Sequence, residues 1–269
     1  MIDLDLFLKD LEKIRERKPM IHHIMNFVIM NDAANVTLAI GAAPIMAHAI
    51  EELEDLVSVA DSIYINIGTL DSIWIESMIH LARLAGKYNK PLLLDPVGAG
   101  ATRLRTETAL KILQTGYVSI LKGNAGEMLS LAGLGGMVKG VESIAESGLE
   151  AVEILSSRYG VTAVATGRID YVSNGKNILE VRGGSEMFRH ISGSGCMVGS
   201  VISSFSAVEK DHLLASLEGL VAFKRAGEIA EMRSGRNPAS FKVELINSLY
   251  SIQNFISEEI MRRMINRIR

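Results

Sequence analysis

Residues 91–133 run PLLLDPVGAGATRLRTETALKILQTGYVSILKGNAGEMLSLAG. A short apolar run, Pro91 to Asp95, stops at an aspartate and a Pro/Gly-rich turn. From Leu104 to Gly116 apolar residues recur at helical period. A second apolar run, Tyr117 to Leu121, ends at Lys122-Gly123-Asn124, and a further helical stretch reaches Gly133. Strand, helix, strand, helix without a tight hairpin predicts parallel strands joined by crossover helices.

The same alternation extends both ways. Upstream lie the run Ser62 to Asn66 and a helical stretch from Ser72 to Tyr88; downstream, a helical stretch from Glu142 to Tyr159 precedes the run Val161 to Ala165. After Thr166 the pattern changes. Asp170-Tyr-Val-Ser173 and Asn177 to Arg182 flank an Asn-Gly pair, the signature of a hairpin turn, which predicts an antiparallel edge. From Gly193 onward the whole chain reads as helical, with helices over Gly193 to Val208, Leu213 to Met232 and a third between Ala239 and Arg269. The expected fold class is α/β: a three-layer sandwich, a mostly parallel sheet between helices, with a helical C-terminal third. No repeat, low-complexity tract or linker interrupts residues 1–269, so a single domain is expected.

Composition narrows the function. With 28 Lys plus Arg against 31 Asp plus Glu, the net charge is −3 and there is no basic footprint for nucleic acid or an anionic membrane. One cysteine forms no internal disulfide and no cysteine-rich zinc site, which fits a reducing cytoplasm. Residues 1–18 mix charged and apolar residues at helical spacing, unlike a signal peptide. The most apolar stretch, Leu38 to Ile50, is too short to span a bilayer. Small soluble ligands are the expected partners.

Open α/β sheets bind ligands beyond the carboxyl ends of their strands, so chemistry is sought there. Asp95 ends one strand; its hard oxygens suit Mg²⁺, or it only caps its own turn. Asn124 and Glu127 have capping-box spacing beside Lys122, so they either satisfy the helix's free N–H groups or join Lys122 and Asp95 around a metal-nucleotide complex. Thr166 and Gly167 form a turn suited to phosphate. Ser192-Gly193-Ser194-Gly195-Cys196 opens an apolar helix whose uncovered N–H groups and dipole make an anion site.

Cys196 admits three readings. As a nucleophile it would use a thiol whose pKa the helix dipole lowers, with His190, His22 or His23 as base, but such a hydrolase has no use for Asp95 and Glu127. Gly193 to Gly199 loosely matches a dinucleotide-binding glycine motif, although no strand clearly precedes it. As a small polarisable residue lining an anion hole with Gly193 and Gly195, it fits the whole pattern. His22, His23 and Asn26 are expected to hydrogen-bond within a turn, and no P-loop motif exists anywhere.

In order along the chain, Asn31 through Ala42-Ala43-Pro44-Ile45-Met46, Leu94-Asp95-Pro96-Val97-Gly98-Ala99-Gly100, Lys122-Gly123-Asn124-Ala125-Gly126-Glu127 and Ser192 to Cys196 resemble the hydroxyethylthiazole kinases, thiamine-salvage enzymes of the ribokinase-like superfamily. The resemblance runs from about His22 to Pro238. It implies a ribokinase-like fold and ATP-dependent phosphorylation of the alcohol of 4-methyl-5-(2-hydroxyethyl)thiazole. It implies that Met46 and Gly193, with Asn26 beside them, contact the thiazole, that Lys122 and Thr166, with Asn124, contact ATP, and that Asp95 and Glu127 organise Mg²⁺. It also implies a homotrimer with sites at subunit interfaces. Most ribokinase-like kinases carry an aspartate after the glycine pair, whereas thiazole kinases carry cysteine, here Cys196. Lys122 stands where the family pattern has arginine, Gly126 where it has serine, and Met25 where a hydroxyl residue is common. The alternatives are a hydroxymethylpyrimidine or pyridoxal kinase of the same superfamily, or an NAD-binding oxidoreductase.

Overall fold

A computed structural model describes residues 3–135 and 141–269, with the backbone alone over 141–147. Helix α1 (Leu4–Arg17) starts where the Asp3 carboxylate accepts the Leu6 N–H, and stops at Lys18 in the left-handed region. Then come β1 (Met20–Ile24), α2 (Met30–Ile40), β2 (Ala43–Met46), α3 (Leu53–Val59) and β3 (Ser62–Asn66). The alternation predicted from the sequence follows, as α4 (Ser72–Lys87), β4 (Leu92–Asp95), α5 (Arg103–Leu113), β5 (Ile120–Asn124), α6 (Ala125–Ala132), α7 (Val141–Tyr159) and β6 (Thr162–Thr166). The predicted hairpin is β7 (Asp170–Ser173) and β8 (Ile178–Val181). The remainder is α8 (Ser194–Ser206), α9 (His212–Ser234), α10 (Pro238–Tyr250), α11 (Glu258–Met264) and β9 (Ile265–Arg267).

Among the described residues nine strands form one sheet, ordered β2-β1-β3-β4-β5-β6-β7-β8-β9. Pairing is parallel from β2 through β6 and antiparallel from β6 to β9. Alternate strand residues face two separate cores. Ile21, Tyr64, Leu93, Ile120 and Val164 pack with residues of α1, α2, α8, α9 and α10. Ile24, Ile63, Ile65, Leu94, Leu121 and Ala163 pack with α3, α4, α5, α6 and α7. Helices therefore cover both faces, the arrangement that parallel strands buried on both sides require.

Three strands depart from the sequence expectation. The histidine pair lies not in a turn but on β1, where both residues are fully buried. His22 Nε2 is 3.0 Å from the Ala47 carbonyl, and His23 spans the Ile21 carbonyl and the Ser200 hydroxyl at 2.9 and 3.2 Å. Burial pushes the His23 pKa down to about 4, so the ring is neutral and packs like a hydrophobe. β2 is a half-buried edge strand. The C-terminal third is not wholly helical, because β9 turns back to pair with β8. Among the described residues, no helix is long and apolar enough to cross a membrane.

Candidate active site

The parallel register brings the polar strand ends into line. Asn66 pairs with Asp95 across β3 and β4, and Asn124 with Thr166 across β5 and β6. Above this edge sits the N-terminus of α8. Its N-cap, Gly193, has φ +70°, and no side chain caps it. A Cβ on Gly193 would stand 2.4 Å from Ile29 Cγ1, so both conformation and space require glycine. The first N–H groups of α8 therefore point at the crevice without intrahelical partners.

One connected network occupies that crevice. Asp95, 1% exposed, uses Oδ2 to accept hydrogen bonds from Lys122 Nζ at 2.7 Å, the Tyr64 hydroxyl at 2.9 Å and Asn66 Nδ2 at 3.2 Å. Lys122 also donates to the Gly195 carbonyl at 2.7 Å, and the single Tyr64 hydroxyl proton is shared between Asp95 and the Cys196 carbonyl, 3.0 Å away, so β3, β4 and β5 are tied to the first turn of α8. Asn26, at the end of β1, donates to Asn66 Oδ1 at 2.8 Å and to Cys196 Sγ at 3.6 Å. Its own oxygen accepts the N–H groups of Val28 and Ile29. Five residues singled out from the sequence (Asn26, Asp95, Lys122, Gly195 and Cys196) thus meet.

The helix dipole is not the strongest influence on Cys196. Burial and the neighbouring Asp95 charge push the thiol up to about 11, the reverse of the lowering expected from the helix terminus. A thiol in that state is neutral at physiological pH. The side chain's neighbours are Asn26, Asn66, Asp95 and Lys122, with none of the candidate histidine bases among them, and His23 is turned to Ser200, so the cysteine-nucleophile reading lacks its base. The dinucleotide reading goes too: the chain before Gly193 is a short 3₁₀ turn, Glu186–His190, and not a strand.

The capping box beside this network is complete. Asn124 Oδ1 accepts the Glu127 N–H at 3.0 Å and Glu127 Oε2 accepts the Asn124 N–H at 2.8 Å, while Oε1 accepts the Gly98 N–H at 2.8 Å. Burial, then the Asp95 charge, raise the Glu127 pKa. Thr166 donates to the Gly123 carbonyl at 3.2 Å. Met46 ends β2, half-buried, with β1 and β3 between it and Asp95 in the sheet. Among the described residues, three metal-ligating side chains do not cluster anywhere. The candidate donors are the hard carboxylate oxygens of Asp95 and Glu127: Asp95 Oδ1 is buried without a hydrogen-bond partner, and each Glu127 oxygen holds one N–H and keeps a free lone pair. That set fits a divalent cation that retains most of its water.

The model of the hydroxyethylthiazole kinase family matches residues 11–255. The chain belongs to that family. It is 56% identical to the hydroxyethylthiazole kinase of Caldivirga maquilingensis over 248 residues, which is 92% of this chain and 93% of the other. It is 46% identical to that of Archaeoglobus fulgidus, over 95% and 94% of the two chains. The solved hydroxyethylthiazole kinase structure from Pyrococcus horikoshii OT3 superposes with a TM-score of 0.89 at 40% identity, covering 98% of this chain and all of the other. A pyridoxal kinase from Staphylococcus aureus, solved in complex with ADP, shares 15% identity and a TM-score of 0.62 over 79% of this chain and 88% of its own, a likeness of fold alone. The fold is ribokinase-like, as the family resemblance implies.

For a hydroxyethylthiazole kinase family member, two residues of the network were missed in the sequence. Asn66 closes β3 as Asp95 closes β4, so the strand-end rule was enough to find it. Tyr64 sits mid-strand in an apolar run, and no local pattern marks it. Only the structure shows it, packed against Gly199, where a Cβ would stand 2.4 Å from the Tyr64 oxygen.

Proposed function

We propose that this chain phosphorylates the alcohol of 4-methyl-5-(2-hydroxyethyl)thiazole with ATP, in thiamine metabolism, and that the residues at the strand edge carry the reaction. The observation behind it is the uncapped α8 N-terminus, where two first-turn carbonyls, those of Gly195 and Cys196, are anchored by Lys122 and Tyr64. The anchoring holds the N–H groups of the first turn in one direction, as a hole for a transferring phosphoryl group must be. The family match supplies the acceptor and, as for any such kinase, ATP as co-substrate.

In this reading Gly193, Gly195 and Cys196 surround the γ-phosphoryl group, Met46, Asn26 and Gly193 hold the thiazole, and Lys122, Asn124 and Thr166 form the nucleotide side. Lys122 acts from beneath, through Asp95 and Gly195, since its ammonium is buried. Asp95 and Glu127 would hold Mg²⁺, directly or through water, which neutralises charge on the phosphates. Positioning and electrostatics supply the rate enhancement in phosphoryl transfer with a loose transition state, so the alcohol's proton leaves late and the neutral Cys196 thiol need not remove it.

The substrate pocket is completed by a second subunit in a homotrimer. Support for this lies in Phe27 and Val28, which directly follow Asn26 and are 64% and 69% exposed. Apolar side chains at a site's rim belong to an interface more readily than to water. We place the enzyme in the cytoplasm, as one domain built on its one sheet. ATP consumption with hydroxyethylthiazole against hydroxymethylpyrimidine, at matched concentrations, tests the reaction: faster turnover of the pyrimidine would refute it. Light scattering tests the trimer, and a monomeric mass for the active enzyme would refute it.

A further inference from the structure

Lys224 lies in the middle of α9, far along the chain from every residue above, and is 6% exposed. Its ammonium reaches four acceptors: Asp170 Oδ2 at 3.2 Å and the carbonyls of Gly167, Arg168 and Gly183 at 3.5, 3.2 and 3.3 Å. The other Asp170 oxygen accepts the Gly167 N–H at 2.8 Å. The turn that follows Thr166 is therefore held at two of its three carbonyls and at its first N–H, and all of these bonds lead back to one buried ion pair.

The second anchored segment is shaped around the same side chain. Gly183 and Gly184 both have φ +92°, and a Cβ on Gly184 would meet Lys224 Cγ and Phe188 Cε2 at 3.3 Å each. This double glycine begins the path to the anion hole, because the Phe188 carbonyl accepts the Ser194 hydroxyl at 3.0 Å at the start of α8. A buried ammonium must satisfy three N–H donors, and this one takes its acceptors from two separate loops, the Gly167–Asp170 turn and Gly183. Such a convergence sets the position of one loop relative to the other.

We propose that Lys224, with Asp170, is a positioning residue for the nucleotide: it fixes the Thr166–Asp170 turn relative to the segment that leads into the α8 anion hole. The proposal rests on the assignment of Thr166 to the nucleotide side. Lys224 touches no reacting atom, so its loss weakens nucleotide binding more than the chemical step.

The test compares Lys224→Met, Lys224→Arg and the double variant Lys224→Met/Asp170→Asn, which leaves no unpaired charge in the interior should the single variant fold poorly. Thr166→Ala is measured alongside, with ATP affinity by calorimetry and with kcat and both KM values. The expected result for Lys224→Met and the double variant is a loss of about tenfold in ATP affinity and a matching rise in KM for ATP. Turnover at saturating ATP and KM for the thiazole should stay within about twofold, and Lys224→Arg should recover most of the affinity. Unchanged ATP affinity in the folded double variant, or kcat and both KM values shifting together, would overturn the proposal. If Thr166→Ala alone keeps wild-type ATP affinity, the assignment of Thr166 fails instead.

Discussion

Cys196 shows how far burial and a neighbouring charge reverse a local expectation. A first-turn cysteine has a lowered pKa when solvent and cations face it. Here Asp95 lies close by and the side chain is buried, so the thiol is neutral up to about pH 11. The pH profile of kcat should therefore show no inflection from this group between pH 6 and 10, and profiles of wild type and Cys196→Ser that coincide in shape would bear this out. A stronger base at the same place should be tolerated: Cys196→Asp is expected to retain or raise turnover, and a collapse of turnover with intact folding and ATP binding would refute the weak-base reading. The Asp95–Lys122 pair is less forgiving. Asp95→Asn leaves the buried ammonium with the Gly195 carbonyl and no counter-charge, a loss of about 3–5 kcal/mol of stability by the usual cost of an orphaned buried ion; urea unfolding measures it.

Among the elements, α8 carries the site and α9 holds α8 in place. They approach tightly at Gly219, where a Cβ would stand 2.7 Å from the Ile202 Cα, a backbone atom that cannot swing aside. Gly219→Ala should push the two helices apart and destabilise the protein by about 1–3 kcal/mol, the usual range for overpacking, measured as a lower urea midpoint. Gly199→Ala meets the Tyr64 hydroxyl instead. It should lower kcat through displacement of the Cys196 and Asp95 partners, with a smaller loss of stability. The helices α4 to α7 and the hairpin were legible in the sequence because each has its own period and its own punctuation. β1 and β2 were not: Met20-Ile-His-His-Ile24 carries polar residues on both faces, and Ala43-Pro-Ile-Met46 is an edge strand that alternation does not mark. β9 is three residues long and is a strand only because β8 offers it an edge.

At the scale of the whole molecule, a buried acid makes stability depend on pH. Glu218 on α9 is fully buried with neither oxygen hydrogen-bonded to a donor, and burial together with Asp10 of α1 and Glu209 pushes its pKa up to about 9, against a smaller opposing effect of Lys13. The folded pKa lies above the unfolded value near 4.5, so the contribution to stability is complete below about pH 4.5 and is lost as pH rises to about 9. Glu218→Gln should remove that slope; the gap between its melting temperature and that of wild type should widen from pH 6 to pH 9, and a constant gap would contradict the assignment. The sequence by itself determined the alternating α/β order, the strand ends where polar residues cluster, the glycine-opened helix α8 and the family, because periodicity, turn chemistry and motif spacing are local properties of a chain. Only the tertiary structure decided that Lys122 faces Asp95 and Gly195, that Tyr64 and Asn66 join them, that Lys224 grips a turn 57 residues away, and that Cys196 is neutral. Each of these depends on which groups desolvate one another across the sheet, and burial and charge at that range are set by packing.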